Sequence, residues 1–78
     1  MKRLVIVGCG RLAKIVADAV VKGLLPDYYL VGVYSRTASK AAHIANKMQQ
    51  HGKPCIACAT LEELLALKPD YLVESASP

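Results

Sequence analysis

Two glycines and an alanine carry the most specific chemical signal in the 78-residue chain: Gly8, Gly10 and Ala13, in the run Gly8-Cys9-Gly10-Arg11-Leu12-Ala13. Just before them stands Leu4-Val5-Ile6-Val7, an apolar, mostly β-branched stretch that reads as a strand covered on both faces. Just after them Arg11, Lys14, Asp18 and Lys22 recur at three and four, which is helical spacing. Small residues between a strand and a helix make a seat for phosphate. Gly8 permits a tight turn, Gly10 lets the backbone approach a pyrophosphate without a Cβ in the way, and Ala13 keeps the helix close to the strand. The N–H groups at the helix start then face the anion. Without its context the pattern is weak, since small residues fall at such spacing often; between a strand and a helix it points to dinucleotide binding. The competing account is a different doubly wound domain, such as a flavodoxin-like one, in which the glycines only shape the connection.

A second signal lies at the end of the next apolar stretch, Tyr28 to Tyr34. In a dinucleotide-binding fold this strand normally ends in an Asp or Glu that accepts the adenosine ribose hydroxyls and so selects NAD. Here Tyr34 is followed by Ser35-Arg36-Thr37. Two hydroxyls and a guanidinium suit the 2′-phosphate of NADP, and the guanidinium can stack on adenine. NADP is therefore the expected cofactor, with NAD as the alternative. The same residues also describe a plain helix start, with Ser35 or Thr37 as cap and Arg36 in water, but capping does not account for the missing acid. Asp27 precedes the strand and cannot substitute. Arg11 suits a place over a phosphate and, almost equally, a solvated place in the first helical turn.

The pair Cys55-x-x-Cys58, with His51 upstream, has a spacing seen in metal and redox sites. A zinc site wants four ligands where this pair supplies two, and residues three apart on a strand point to opposite faces. Inert thiols are expected, and no metal. His43 and His51 are expected on the polar side and at the end of a helix.

The elements that must hold these residues alternate. A strand over Leu4–Val7 leads to a helix over Arg11–Leu25, with Leu12, Ile15, Val16, Ala19 and Val20 inward and Pro26 as its stop. Tyr28–Tyr34, interrupted by Gly32, is the second strand. Thr37 begins a helix with Ala38, Ala41, Ile44, Ala45 and Met48 inward, closed by Gly52 and Pro54. Cys55–Ala59 reads as a third strand. Thr60-Leu61-Glu62-Glu63 has capping-box spacing at the head of a short helix that Pro69 terminates. Tyr71–Val73, extending toward Ala76, is the fourth strand. The βαβαβαβ order predicts an α/β fold: a Rossmann-type parallel sheet in spatial order 3-2-1-4 with helices on both faces. Residues 1–78 are read as one NAD(P)-binding domain, the amino-terminal part of a larger fold whose substrate domain lies elsewhere.

Composition sets limits on the alternatives. There is no Trp or Phe, so Val, Leu, Ile and Ala must fill the core. No apolar run approaches the roughly 20 residues of a membrane span, and a cytoplasmic protein with no membrane partner is expected. The net charge of +4 comes from Lys and Arg scattered over polar helix faces, which argues against nucleic acid and suits an anionic cofactor. The three cysteines are an odd number without a secreted-disulfide spacing, so reduced thiols are expected.

Leu4 to Ala13, together with Tyr71-Leu72-Val73-Glu74-Ser75-Ala76-Ser77, resembles the amino-terminal domain of L-aspartate dehydrogenases and their homoserine-dehydrogenase-like relatives. The resemblance spans the chain, and its most particular part is the fourth strand. It implies oxidation of an amino acid to an imino or oxo acid, or the reverse, with NAD or NADP. It further implies that Gly8, Gly10, Arg11 and Leu12 line the pyrophosphate, that Ser35, Arg36 and Thr37 hold the adenosine end, and that Ala76 and Ser77 flank the nicotinamide. The chain departs from the family in having Ser35 and Thr37 where members often carry an acidic residue near Arg36, which bears on the choice of cofactor. Family members keep their acid/base residues in a second domain, so no catalytic residue is assigned. Glu74, near the end of a buried strand, is read as ordering a loop and not as a proton carrier. Two other functions share this nucleotide half: a sugar or polyol oxidoreductase, and a non-catalytic NAD(P)H sensor. The expected partner is a small-molecule substrate of the full-length protein, and a second copy of the chain is a candidate.

Overall fold

The structure, a computed structural model that describes residues 1–75, alternates strand and helix from end to end. The elements are β1 (Lys2–Val7), α1 (Arg11–Val21), β2 (Tyr28–Tyr34), α2 (Ala38–Gln50), β3 (Ile56–Cys58), α3 (Leu61–Leu65) and β4 (Tyr71–Glu74). All strand pairs are parallel and the sheet order is β3-β2-β1-β4, so the chain has the expected Rossmann-like α/β fold. The apolar run of β1 is explained by its central place. Leu4 and Ile6 face the layer made by α1 and α2, while Val5 and Val7 face the layer made by α3. Among the described residues no helix is long and apolar enough to cross a membrane.

The two long helices stop by the same device. Gly23 has φ 75°, its amide donates to Val20 O (3.1 Å), and the Leu24 amide donates to Ala19 O (2.9 Å). Gly52 (φ 72°), Gln49 O (3.0 Å) and the Lys53-to-Met48 bond (3.0 Å) repeat that pattern at the end of α2. This is the left-handed glycine stop of helix ends. It ends α1 at Val21, four residues before the expected Leu25, because Gly23 acts before Pro26 is reached. Similarly α3 ends at Leu65, ahead of Pro69, and β3 is trimmed to three residues.

The inward face of α1 also differs from expectation. Ala13, Ala17 and Val20 are buried, whereas Leu12 and Ile15 are 46% and 57% exposed. Alanines on the inner stripe let the helix axis lie close to the sheet, which turns the larger side chains onto its shoulders. In α2 the expected Ala41, Ile44, Ala45 and Met48 are buried, but Ala38, at the first helical position, is exposed. β4 is largely exposed along its length and not buried as expected.

Two features of the sheet went unread in the sequence. Between Leu4 and Val5 the register with β2 slips from Leu30 to Gly32, leaving Val31 as the extra residue of a bulge. That is why Leu30 and Val33 share the α1/α2 side while Val31 joins the other. At Gly32 a Cβ would lie 2.4 Å from Leu67 Cδ1 and 3.1 Å from Leu64 Cδ1, so the α3 layer seats on a missing side chain. The second feature is Arg3, whose Nε and Nη2 donate to Leu67 O at 2.9 and 2.7 Å. Its amide donates to Asp70 Oδ2 (2.8 Å) while the Asp70 amide donates back to Arg3 O (2.8 Å), tying the α3–β4 turn to β1. Between the long helices, Lys47 bonds Asp18 and holds that carboxyl below its ordinary value. A depressed carboxyl contributes above the usual carboxylate range and loses its contribution as pH falls through the lowered value; exposed to water, this pair is a minor one.

Replacing Gly32 with valine should push Leu67 and Leu64 off the sheet and cost about 1–3 kcal/mol, the usual range for overpacking. Chemical denaturation followed by circular dichroism measures it. An unchanged midpoint would show that α3 does not depend on the bare backbone at Gly32.

Candidate functional site

At the carboxyl ends of β1, β2 and β4 the chain opens into a cleft of about 550 Å³ lined by Gly8, Gly10, Ser35, Arg36, Lys40 and Glu74, among others. An adjoining hollow of about 300 Å³ lies between the starts of α1 and α2, with Arg11, Lys14, Ser39, Lys40 and His43 around it. The expected residues are thus partly gathered. Gly8, Gly10, Ser35 and Arg36 share the cleft, and Arg11 borders the hollow next to it. The Leu12 side chain points to neither, being on the outer shoulder of α1, although its amide sits at the helix start. Thr37 lines neither cavity. Ala76 and Ser77 lie outside the described residues.

The glycine turn is built as its residues require. Gly8 has φ 84°, a left-handed conformation that side chains disfavour. Gly10 is needed for a reason the sequence did not show: a Cβ there would lie 2.8 Å from the backbone oxygen of Ser75, which is packed against the turn. Ser75 is buried, its amide donates to Val7 O (2.7 Å), and its Oγ accepts from the amide of Ala13 (2.9 Å). A serine from the end of β4 therefore caps α1 from outside. The amides of Gly10, Arg11 and Leu12 are left without an acceptor among the described residues. These are the groups that a helix start offers to an anion.

The second loop is a tight one. The Thr37 amide donates to Ser35 Oγ (3.2 Å), and Thr37 stands at the N-cap of α2 without making a side-chain cap bond. The expected capping hydroxyl is thus Ser35 bonding its own turn, while the Thr37 hydroxyl makes no such bond. Arg36 is exposed and has no partner among the described residues. Lys40 was not anticipated. Three residues beyond Thr37, it reaches both cavities, and its helical spacing from the cap was the available signal.

Charge is arranged oddly for helix stability. Helix α3 follows the dipole rule, with Glu62 and Glu63 in its first turn and Thr60 Oγ1 accepting from the Glu63 amide (3.1 Å). The Glu63 carboxylate reaches the Ala59 amide (3.2 Å), one residue before the place a capping box expects. Helices α1 and α2 have no acid in the first turn. They carry Arg11, Lys14 and Lys40 there instead, each charge opposing the helix dipole by about 0.3–1 kcal/mol. The two helices that break the rule are those whose starts border both the cleft and the hollow; the start of α3 touches the cleft through Leu61, with neither of its acids in the lining.

All three thiols are free and buried. Cys9 lies buried in the turn, where burial raises its pKa while the Ser35 hydroxyl and Lys40 ammonium pull the other way. Burial pushes Cys55 up to about 12, with Cys58 and Cys9 adding to the effect, and it raises Cys58 as well. Cys55 packs in the α1/α2 layer and Cys58 in the α3 layer, on opposite sides of the sheet. No group of three metal-binding side chains occurs among the described residues. Both histidines are exposed, His43 beside the cationic hollow and His51 at the end of α2.

Comparison of the sequence with protein-family models and with curated proteins finds no match.

Two outcomes are expected. Ser75→Ala should remove the external cap of α1 and lower stability by about 1 kcal/mol, read from a denaturation midpoint; an unchanged midpoint would mean that the bond contributes nothing. Thiol-reactive dye at mild alkaline pH should label the folded chain much more slowly than the chain in denaturant, because raised pKa values and burial both limit the thiolate. Equal rates would contradict the buried thiols.

Proposed function

We propose that the chain is the dinucleotide-binding part of an NAD(P)-dependent oxidoreductase, and that it prefers NADP. The observation that carries this reading is the pairing of a glycine turn with two acid-free, cation-bearing helix starts on one cleft. A cost accepted at α1 and α2 but avoided at α3 becomes favourable when an anion lies between them. The free amides of Gly10, Arg11 and Leu12 suit a pyrophosphate. Arg36 and Lys40, at the end of β2 and in the first turn of α2, suit a further phosphate on the adenosine ribose, where an acid would have selected NAD.

The cofactor, when bound, supplies a nicotinamide that accepts or returns a hydride. The chain's own work is to bind and orient it: Gly8 and Gly10 keep the turn low, Ser75 holds the turn to the sheet, and the cations neutralise the phosphates. In its most specific form the reading is aspartate dehydrogenase-like, with an amino acid as substrate of the full-length protein. That form rests on the likeness of the β1–α1 turn and of the Glu74-Ser75-Ala76-Ser77 run. A soluble, cytoplasmic setting fits this chemistry, and acid/base groups would come from a substrate domain.

Titration of the chain with NADPH and NADH, followed by nicotinamide fluorescence, tests the proposal. NADPH should bind more tightly. Arg36→Ala and Lys40→Ala should each weaken NADPH by about tenfold, the loss of one charge-assisted contact, with little effect on NADH. Tighter NADH binding would overturn the preference, and failure of both to bind would overturn the cofactor reading for this chain.

A further inference from the structure

We propose that Glu74 holds the second ribose of the dinucleotide, the one joined to nicotinamide, by accepting hydrogen bonds from its two adjacent hydroxyls. The inference rests on the dinucleotide reading of the cleft. Glu74 ends β4 directly opposite Val7, the residue that leads into the glycine turn. Its backbone is fixed by the next residue, since Ser75 bonds both Val7 O (2.7 Å) and the Ala13 amide (2.9 Å). Glu74 lines the same cleft as Gly8, Gly10 and Arg36, and no other acidic residue among those described lines that cleft or the cationic hollow beside it. It is exposed and makes no hydrogen bond or ion pair among the described residues.

Sheet order places the charges in a line. Ser35 and Arg36 follow β2, the glycine turn follows β1, and Glu74 ends β4 on the far side. Strands lie about 4.8 Å apart, so an anion seated on the turn has Arg36 beyond one neighbouring strand end and Glu74 at the other. A carboxylate so near a phosphate is repulsive unless the ligand brings donors to it. A ribose attached to that phosphate on the β4 side brings two adjacent hydroxyls, which match two carboxylate oxygens in a charge-assisted pair. The ligand is then cation-bound at its adenosine end and carboxylate-bound at its other nucleoside.

The experiment compares two ligands on the native chain, Glu74→Ala and Glu74→Gln. NADPH carries the second ribose; adenosine 2′,5′-bisphosphate lacks it. Glu74→Ala should weaken NADPH about tenfold and leave the bisphosphate unchanged, with Glu74→Gln in between because an amide keeps one acceptor. Equal NADPH affinity in all three proteins, tighter binding by Glu74→Ala, or equal loss for both ligands would overturn the role of Glu74 while the cofactor reading stands. No binding of either ligand to the native chain would overturn the cofactor reading, and this inference with it.

Discussion

The contact between Ser75 and the start of α1 fixes the rest of the site. One buried hydroxyl takes the Ala13 amide, one backbone amide takes Val7 O, and the Ser75 carbonyl leaves no room for a side chain at Gly10. The ends of β1 and β4 and the first turn of α1 are thereby a single rigid corner. Its rotation sets Ala13 and Ala17 against the sheet and leaves Leu12 and Ile15 outside. It also decides which amides of the α1 start are bonded and which have no acceptor among the described residues. Gly10, usually explained by the approach of a pyrophosphate, is required here by the protein's own strand end.

Around that corner the chain accepts a local electrostatic cost that its short third helix avoids. The acid-led α3 satisfies its helix dipole, and of its residues only Leu61 lines the cleft. At α1 and α2 the chain places Arg11, Lys14 and Lys40 against the positive ends of the helices, and both ends meet at the same cleft. Conflicts between local rule and local sequence are expected at functional sites. Glu74 completes the pattern from the opposite wall, giving the cleft a cationic end and an acidic one.

The architecture was legible because periodicity and punctuation agree: the β1 run is apolar on both faces, the helices have polar residues at three and four, and glycines separate them. The order 3-2-1-4 came from reading the glycine turn as that of a dinucleotide-binding fold, since the βα alternation alone also suits the order 2-1-3-4. Other details were hidden for identifiable reasons. Pro26 is the stronger stop signal in the sequence, yet a left-handed stop acts at the first residue able to adopt it, which is Gly23. The bulge at Val31 and the seat at Gly32 depend on what packs opposite, which one strand does not reveal. Arg3 and Ser75 act across 64 and 62 residues of sequence, so no local pattern carries them. For the candidate site, spacing pointed to Gly8, Gly10, Ser35 and Arg36, which line one cleft. Thr37 and Leu12 line neither cavity, though the Leu12 amide sits at the helix start, and Lys40 lies one helical turn beyond the loop whose residue types carried the signal.

The central claim is that the glycine turn and the starts of α1 and α2 form one dinucleotide site, and amide chemical-shift mapping of the labelled chain during NADPH addition tests it most directly. Shifts are expected to concentrate in Gly8–Ala13 and Ser35–Lys40, with Tyr28, Tyr29 and Gly52, around the hollow at the amino-terminal end of β2, unmoved. Shifts centred on that opposite end, or none at all at saturating NADPH, would contradict it.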